Sequence, residues 1–202
     1  ARDDYLACLR NDPLNVKYRY LLANSYFYCE ENNNAISAYS KVITLDKNHF
    51  DAFIGRGKAY ILEMKLEDAF HDFQRALDIN PNRTECFIGL GQIYKLQNKL
   101  EYSMSEFDKA IEIDPNNVEA LIARSKVYNA MGKYKEAISD STKAINLDDS
   151  NAQHYRARAY SYLFEDIGSS VKDIAKSFTR KSSAFNKVSD YLDSLREKRN
   201  SH

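Results

Sequence analysis

Histidine and cysteine side chains are the first places to look for chemistry in this sequence, because they act as bases, nucleophiles and metal ligands. The histidines are isolated from one another and from every cysteine: His49, His71, His154 and His202. The cysteines form an odd set without the short spacings of zinc sites: Cys8, Cys29 and Cys86. Reduced, packed thiols are therefore predicted rather than disulfides. The sequence predicts no catalytic residue, no metal site and no cofactor.

Two glycine pairs begin like the phosphate-binding loops of nucleotide-binding proteins. In Gly55-Arg56-Gly57 and Gly89-Leu90-Gly91, however, the third glycine is missing and no strand precedes the motif. Both pairs fall inside segments with helical periodicity, where a glycine costs about 1 kcal/mol relative to alanine. Close contact between two helices is the predicted reason for keeping them.

The composition indicates a soluble, all-helical protein. Hydrophobic residues make up 44% of the chain and charged residues 29%, with only three prolines, six glycines and no long β-branched alternation. No window offers the roughly 20 apolar residues that a membrane span requires. The first ten residues lack the pattern of a secretory signal. A cytoplasmic location is expected, with the nucleus as the alternative.

A turn signal recurs along the chain with a period of 34 residues. It is clearest in Asn80-Pro81-Asn82, Asp114-Pro115-Asn116 and Asp148-Asp149-Ser150, and the same register extends upstream to Asp46 and Asp12. A fixed period of this length predicts a stack of identical supersecondary units. The predicted full repeats are residues 16–49, 50–83, 84–117 and 118–151.

Small and aromatic side chains keep fixed places within each repeat, counted from its first residue as position 1. Position 11 is always tyrosine (Tyr26, Tyr60, Tyr94, Tyr128), and the small residues at position 8 are Ala23, Gly57, Gly91 and Ser125. Position 20 is Ala35, Ala69, Ser103 and Ala137, position 24 is Tyr39, Phe73, Phe107 and Ser141, and position 27 is Val42, Ala76, Ala110 and Ala144. Two helices approach closely where one carries small side chains and the other fills the space with an aromatic ring.

This pattern resembles the tetratricopeptide repeat family. The resemblance covers nearly the whole chain, although the tryptophan frequent in the family at position 4 is replaced by Arg19, Phe53, Phe87 and Leu121. It implies an all-α fold, an α–α superhelix of stacked antiparallel helix pairs that ends in a capping helix. It also implies a protein–protein interaction scaffold or adaptor without catalytic activity.

The repeat pattern weakens at both ends of the chain. Residues 1–15 align with the second helix of a repeat, so an upstream repeat is expected in a longer polypeptide. Residues 152–182 are predicted to form a degenerate fifth repeat. Residues 183–202 are predicted to form a capping helix and basic tail, because Phe185, Val188, Leu192 and Leu195 recur at helical spacing.

The resemblance further implies that the first helices line a concave groove for a peptide or amphipathic helix, through positions 2, 5, 6, 9, 12 and 13. The predicted partner-binding residues are Tyr20, Asn24, Phe27, Tyr28, Ile54, Lys58, Ile61, Leu62, Ile88, Gln92, Lys95, Leu96, Ile122 and Lys126. Gly55 and Gly89 at position 6 would let a ligand approach the backbone, and Asp51 and Glu85 would border the groove. The alternative is ordinary packing, since positions 5 and 12 are often apolar in the family.

The sequence can be tested for the features that different kinds of partner would require. The dicarboxylate clamp of chaperone-binding relatives is not predicted, because only Asn24 matches its residues and Glu85 would repel a carboxylate. Residues 172–202 hold eight Lys and Arg against four Asp and Glu, which a solvated capping helix explains better than nucleic-acid binding. Open terminal repeats would also allow self-association. A second functional hypothesis is a targeting or regulatory domain of a larger enzyme.

Overall fold

The computed structural model describes residues 2–165, which form ten α-helices and no strand. The helices are α1 (Arg2–Asn11), α2 (Val16–Tyr28), α3 (Asn32–Leu45), α4 (Phe50–Leu62), α5 (Leu66–Ile79), α6 (Thr84–Leu96), α7 (Leu100–Ile113), α8 (Val118–Ala130), α9 (Tyr134–Leu147) and α10 (Ala152–Glu165). The predicted all-α fold of stacked helix pairs is confirmed. The predicted capping helix lies outside the described residues, as does the fifth repeat beyond α10.

The chain divides into two compact units, Ala1–Ile113 and Asp114–His202. In the first unit, α2 packs on α3, α4 on α5 and α6 on α7, and each pair also contacts the next pair along the chain. The first helices α2, α4 and α6 contact one another in turn, and α1 packs on α2. In the second unit, α9 packs against both α8 and α10, which also contact each other.

The two helices of each pair are joined by a turn in which the residue at position 15 has a left-handed backbone conformation. The φ angles are 61° at Glu30, 56° at Met64, 58° at Asn98 and 73° at Gly132. The next backbone N–H closes the turn by donating to the carbonyl of the tyrosine at position 11, as in Lys65 to Tyr60 at 2.9 Å. This is the usual way of satisfying the last carbonyls of a helix, although glycine is the residue normally preferred there.

The junction between one pair and the next is made by the recurring Asp or Asn. Its side-chain oxygen accepts a hydrogen bond from the backbone N–H two residues later, at 3.0 Å for Asp46 and 3.1 Å for Asp114. Asn15 and Asn117 then cap α2 and α8 by accepting from a backbone N–H in the first turn of each helix. These local bonds end the second helix and start the next first helix at 34-residue intervals.

The aromatic residue at position 24 forms the centre of each helix pair in the first unit. Phe73 and Phe107 are completely buried, and Tyr39 is 2% exposed. A Cβ atom added to Gly57 would lie 3.1 Å from the Phe73 ring, and one added to Gly91 would lie 2.7 Å from the Phe107 ring. The predicted close helix contact therefore exists. The tyrosines at position 11 are only half-buried and do not fill this space.

Candidate protein interface

One stripe of the first helices carries the residues predicted to bind a partner. Position 8 faces the second helix of the pair, whereas positions 2, 5, 6, 9, 12 and 13 follow helical spacing along the other side of α2, α4 and α6. The stripe ends at position 13, which is the last residue of each helix: Tyr28, Leu62 and Leu96. These three side chains are 82%, 58% and 49% exposed.

The side chains at position 5 of the stripe are largely buried in the core. Ile54 and Ile88 are 6% and 3% exposed, and Ile54 belongs to the same hydrophobic cluster as Phe73 and Cys86. Tyr20 is half-buried and its ring lies 4.8 Å from the ring of His49. Apart from the half-buried Tyr20, the apolar side chains of the stripe that solvent can reach are therefore those at positions 12 and 13.

The glycines at position 6 have a different role from the one predicted. A Cβ atom on Gly55 would lie 2.5 Å from the Tyr39 ring, and one on Gly89 would lie 2.3 Å from the Phe73 ring. The prediction that a ligand approaches the backbone here is wrong, because aromatic rings from the preceding helix pair already occupy the space. Phe73 thus lies between Gly57 of its own pair and Gly89 of the next.

Polar side chains lie in the middle of the stripe. The Tyr39 hydroxyl donates to Asn24 Oδ1 at 2.6 Å, across the first helix pair. Burial raises the pKa of both the Tyr20 and the Tyr39 hydroxyl above that of an ordinary phenol, which is already protonated at pH 7, so both are neutral hydrogen-bonding groups. Lys58 and Gln92 are partly exposed at the equivalent position of the next two helices, and Phe27, Ile61 and Lys95 are partly exposed at position 12.

The acidic border of the stripe is partly neutralised by Arg83, which the sequence analysis did not single out. Arg83 Nη2 lies 3.2 Å from Asp51 Oδ1 and 3.0 Å from Glu85 Oε1. The guanidinium also stacks 4.9 Å above the centre of the Phe50 ring. Arg83 is position 34, the last residue of its repeat, and it directly precedes the next first helix, α6. Its closeness in the sequence to Glu85 is the feature that could have pointed to this ion pair.

The second unit holds the remaining two predicted residues. Ile122 is 7% exposed and packs in the core, as Ile54 and Ile88 do. Lys126 is exposed on α8, beside a cleft between α8 and α10.

The described residues contain few groups that could act in catalysis or bind a metal ion. Burial raises the pKa of the Cys86 thiol to about 12, so it is protonated and unreactive at neutral pH. Within residues 2–165, no three His, Cys, Asp or Glu side chains are grouped so that they could hold a metal ion. His49 caps α4 by accepting from the Ala52 N–H at 3.2 Å. None of the ten described helices is long and apolar enough to cross a membrane.

Known proteins share both the repeat and the fold. One family model described as tetratricopeptide repeat matches residues 16–49 and 84–117, and a second with the same description matches residues 106–139. No curated protein sequence matches the chain.

Several solved structures share its fold. MamA is 24% identical, with a TM-score of 0.63 over 75% of this chain and 89% of that one. A tetratricopeptide repeat protein from Parabacteroides merdae is 22% identical, with a TM-score of 0.75 over 96% and 75%. YrrB, described as a TPR protein with an unusual peptide-binding site, is 18% identical, with a TM-score of 0.61 over 94% and 100%. Residues 16–49 and 84–139 therefore carry tetratricopeptide repeats, and the chain has the architecture of a protein–protein interaction module.

Proposed function

We propose that the chain is an adaptor that binds a partner peptide or amphipathic helix along the exposed stripe of α2, α4 and α6. The observation that carries this proposal is the row of exposed apolar side chains at position 13, namely Tyr28, Leu62 and Leu96. A single exposed leucine on a protein surface means little. Large apolar side chains that recur at the same exposed place on three contacting helices are, by contrast, typical of a binding surface.

The side chains around the row change from charged at the starts of the helices to apolar at their ends, so the two edges of the surface differ. Asp51 and Glu85 lie at the start of α4 and α6, where Arg83 neutralises part of their charge, whereas the apolar row lies at the helix ends. Lys58 and Gln92 lie between them. A partner with apolar anchors for the row and polar groups for the middle would match this order, with hydrophobic burial giving affinity and charges fixing orientation. The peptide-binding site of the similar protein YrrB indicates that the fold is compatible with such a ligand.

The test is affinity capture of partners from cell extract with the wild-type chain and a Leu62→Glu/Leu96→Glu variant. Because both leucines are about half exposed, the charges should leave the fold intact, which circular dichroism and thermal unfolding check first. The same substitutions at the buried Ile54 and Ile88 would disturb the core instead. Partners of the stripe should lose at least about tenfold in affinity, because two anchors are removed.

The matched control is Leu14→Glu/Leu45→Glu. These two leucines are also exposed, at 68% and 39%, but lie outside the stripe. Partners captured by the wild type and the control, and lost only from the stripe variant, support the proposal. Equal capture by all three chains would contradict it.

A further inference from the structure

We propose that the first unit binds a phosphorylated serine or threonine of a partner peptide in the cleft between α3, α4 and α5, where Lys47, Arg56 and Arg75 hold the phosphate group. The cleft has a volume of about 460 Å³, and its lining includes Ser40, Ile43, Lys47, Phe53, Arg56 and Arg75. A volume of this order accommodates a phosphorylated side chain together with a neighbouring residue of the peptide.

This cleft lies on the other side of α4 from the stripe of the proposed function. Successive residues of an α-helix are rotated by about 100° around its axis. Phe53 and Arg56, at positions 4 and 7, therefore point roughly half a turn away from the centre of the stripe at positions 2, 5, 6, 9, 12 and 13. The other lining residues belong to α3, to the turn after it and to α5, which carry no stripe residue. The two proposed sites are thus independent of each other.

Arg56 is fixed in position at the wall of the cleft. Its Nε and Nη2 atoms donate to the Asp72 carboxylate, and Nη1 donates to Ser40 Oγ at 2.9 Å. The guanidinium carbon also lies 5.7 Å from the centres of the Phe53 and Tyr60 rings. These bonds use only part of the N–H donors of the guanidinium, and the side chain is 18% exposed. The remaining donors can therefore bond a second oxyanion that enters the cleft.

Two exposed cations complete the charge of the cleft. Among residues 2–165, no ion pair or hydrogen bond involves the Lys47 ammonium group. Arg75 lies 3.6 Å from Asp78 on its own helix, and both of these side chains are exposed. Such a pair contributes about 0 to 1 kcal/mol, so an anion of higher charge can replace the carboxylate. None of the described residues that line the cleft is acidic.

The equivalent clefts of the neighbouring helix pairs in the first unit lack this combination. Leu22 and Leu90 stand in place of Arg56. The residues in place of Lys47 are Pro13 and Pro81, and those in place of Arg75 are Lys41 and Lys109. Because a single cation is retained in each neighbour, the three cations are a feature of this cleft rather than of the repeat.

A phosphate monoester matches the three cations better than a carboxylate does. It carries about −1.5 to −2 charges at pH 7 and three acceptor oxygens, so it can accept hydrogen bonds from Lys47, Arg56 and Arg75 together. The larger charge also favours it over Asp78 as the partner of Arg75. Ile43 is half-buried beside the cations and can pack against an apolar residue next to the phosphorylated one. The short stem of phosphoserine or phosphothreonine allows both contacts at once.

The experiment uses the whole 202-residue chain and three synthetic peptides with blocked ends. The probe is Gly-Ala-Leu-phosphoserine-Leu-Ala-Gly, and its twins carry serine or glutamate in place of the phosphoserine. NMR titration locates binding, and fluorescence anisotropy measures affinity at about 0.1 M salt. The phosphopeptide should shift the amide resonances of α3, α4 and α5 in a saturable way. Both twins should bind at least about tenfold more weakly.

Inorganic phosphate is the competing ligand that distinguishes a peptide site from a site for the free anion. It should displace the phosphopeptide only at concentrations at least about tenfold above the dissociation constant of the peptide, because the contact with Ile43 is missing. Displacement at or below that constant would overturn the peptide as the ligand. A wild-type chain that gives no saturable shift with the phosphopeptide, or binds the serine twin equally well, would overturn the site.

Charge reversal in the chain gives a further arm. Lys47→Glu/Arg75→Glu should lose at least about tenfold in affinity for the phosphopeptide, and both residues are exposed, so the fold should persist. The matched control is Lys109→Glu/Lys143→Glu, which changes the net charge equally at exposed residues in the position of Arg75 in two later repeats. It should stay within about twofold of the wild type. An equal loss in the control would indicate net charge alone and overturn the proposal.

The role of Arg56 is tested without any change in net charge. Arg56→Leu/Asp72→Ala removes the guanidinium together with its buried carboxylate. Thermal unfolding first checks that this variant is folded. It should bind the phosphopeptide at least about threefold more weakly than the wild type, since one of three cations is lost. Unchanged affinity would show that Arg56 does not hold the phosphate group.

Discussion

The helix pairs α4/α5 and α6/α7 have the same packing but are held by different polar contacts. In both, a buried phenylalanine at position 24 lies against a glycine at position 8: Phe73 on Gly57 and Phe107 on Gly91. Of these two pairs, α4/α5 alone adds a buried ion pair at positions 7 and 23, where Arg56 Nη2 lies 2.7 Å from Asp72 Oδ1 and Arg56 Nε 2.8 Å from Asp72 Oδ2.

The same positions in α6/α7 are a buried Leu90 and Glu106, which forms an ion pair with Lys109 on its own helix at 2.8 Å. This pair instead has a bond from the Ser103 hydroxyl to the Gly91 carbonyl at 2.7 Å. Between these two helix pairs, the apolar contact is thus the shared feature and the polar contact the variable one. We infer that the interlocked ring sets the helix geometry. The Arg56 ion pair also reaches Ser40 of the preceding pair, at 2.9 Å.

The largest effect should come from removing the shared ring. Phe73→Ala is expected to reduce the free energy of unfolding by about 3 to 5 kcal/mol, because it leaves a cavity between Gly57 and Gly89 that helix backbones cannot fill. Urea unfolding followed by circular dichroism measures this loss. Phe70→Ala, at a half-buried site, is the control and should cost clearly less. If the two variants were equally stable, the ring would not be the centre of the pair.

The next effect tests the buried ion pair that α4/α5 has and α6/α7 lacks. Asp72→Ala is expected to cost about 2 to 3 kcal/mol, since it leaves the Arg56 guanidinium, 18% exposed, without its carboxylate. Arg56→Leu/Asp72→Ala reproduces the Leu22 and Ala38 of the first helix pair, and should return to within about 1 kcal/mol of the wild type. Urea unfolding of the wild type, both single variants (Asp72→Ala and Arg56→Leu) and the double variant gives the coupling energy between the two side chains. A double variant less stable than Asp72→Ala would show that the ion pair itself holds the helices.

The smallest effect should come from adding a methyl group at the two glycines on either side of the Phe73 ring, Gly57 and Gly89. Gly89→Ala is expected to cost about 1 to 2 kcal/mol, because its Cβ would lie 2.3 Å from the ring and overpacking outweighs the better helix propensity. For Gly57→Ala the distance is 3.1 Å, and the two effects should cancel to within about 1 kcal/mol. Thermal unfolding of both variants measures the difference. Equal melting temperatures would mean that the ring moves freely away from Gly89.

Much of the fold could be predicted because each repeat depends on local signals. The Asp and Asn turns mark the helix starts, and small residues at regular spacing mark the close contacts. The turns at Glu30, Met64 and Asn98 could not be predicted in the same way, since only Gly132 is a glycine, the residue that favours a left-handed conformation. The surrounding helix pair imposes that conformation on the other three.

The candidate site was less predictable than the fold. Helical spacing placed Ile54 and Leu62 on the same stripe, but could not tell that the isoleucine is buried by neighbouring helices while the leucine is exposed. The Arg83 ion pairs and the cleft of Lys47, Arg56 and Arg75 involve residues from different repeats. Their proximity follows from how the pairs stack, which a single repeat does not contain.

The sequence by itself determined the period, the helical class and the small and aromatic residues that meet inside the pairs of the first unit, because these depend on local spacing and side-chain size. Only the tertiary structure decided which stripe residues solvent can reach, that aromatic rings fill the space beside Gly55 and Gly89, and which charges meet. Those features depend on contacts between successive pairs, where burial and pairing are set by the neighbouring helices rather than by the residue type.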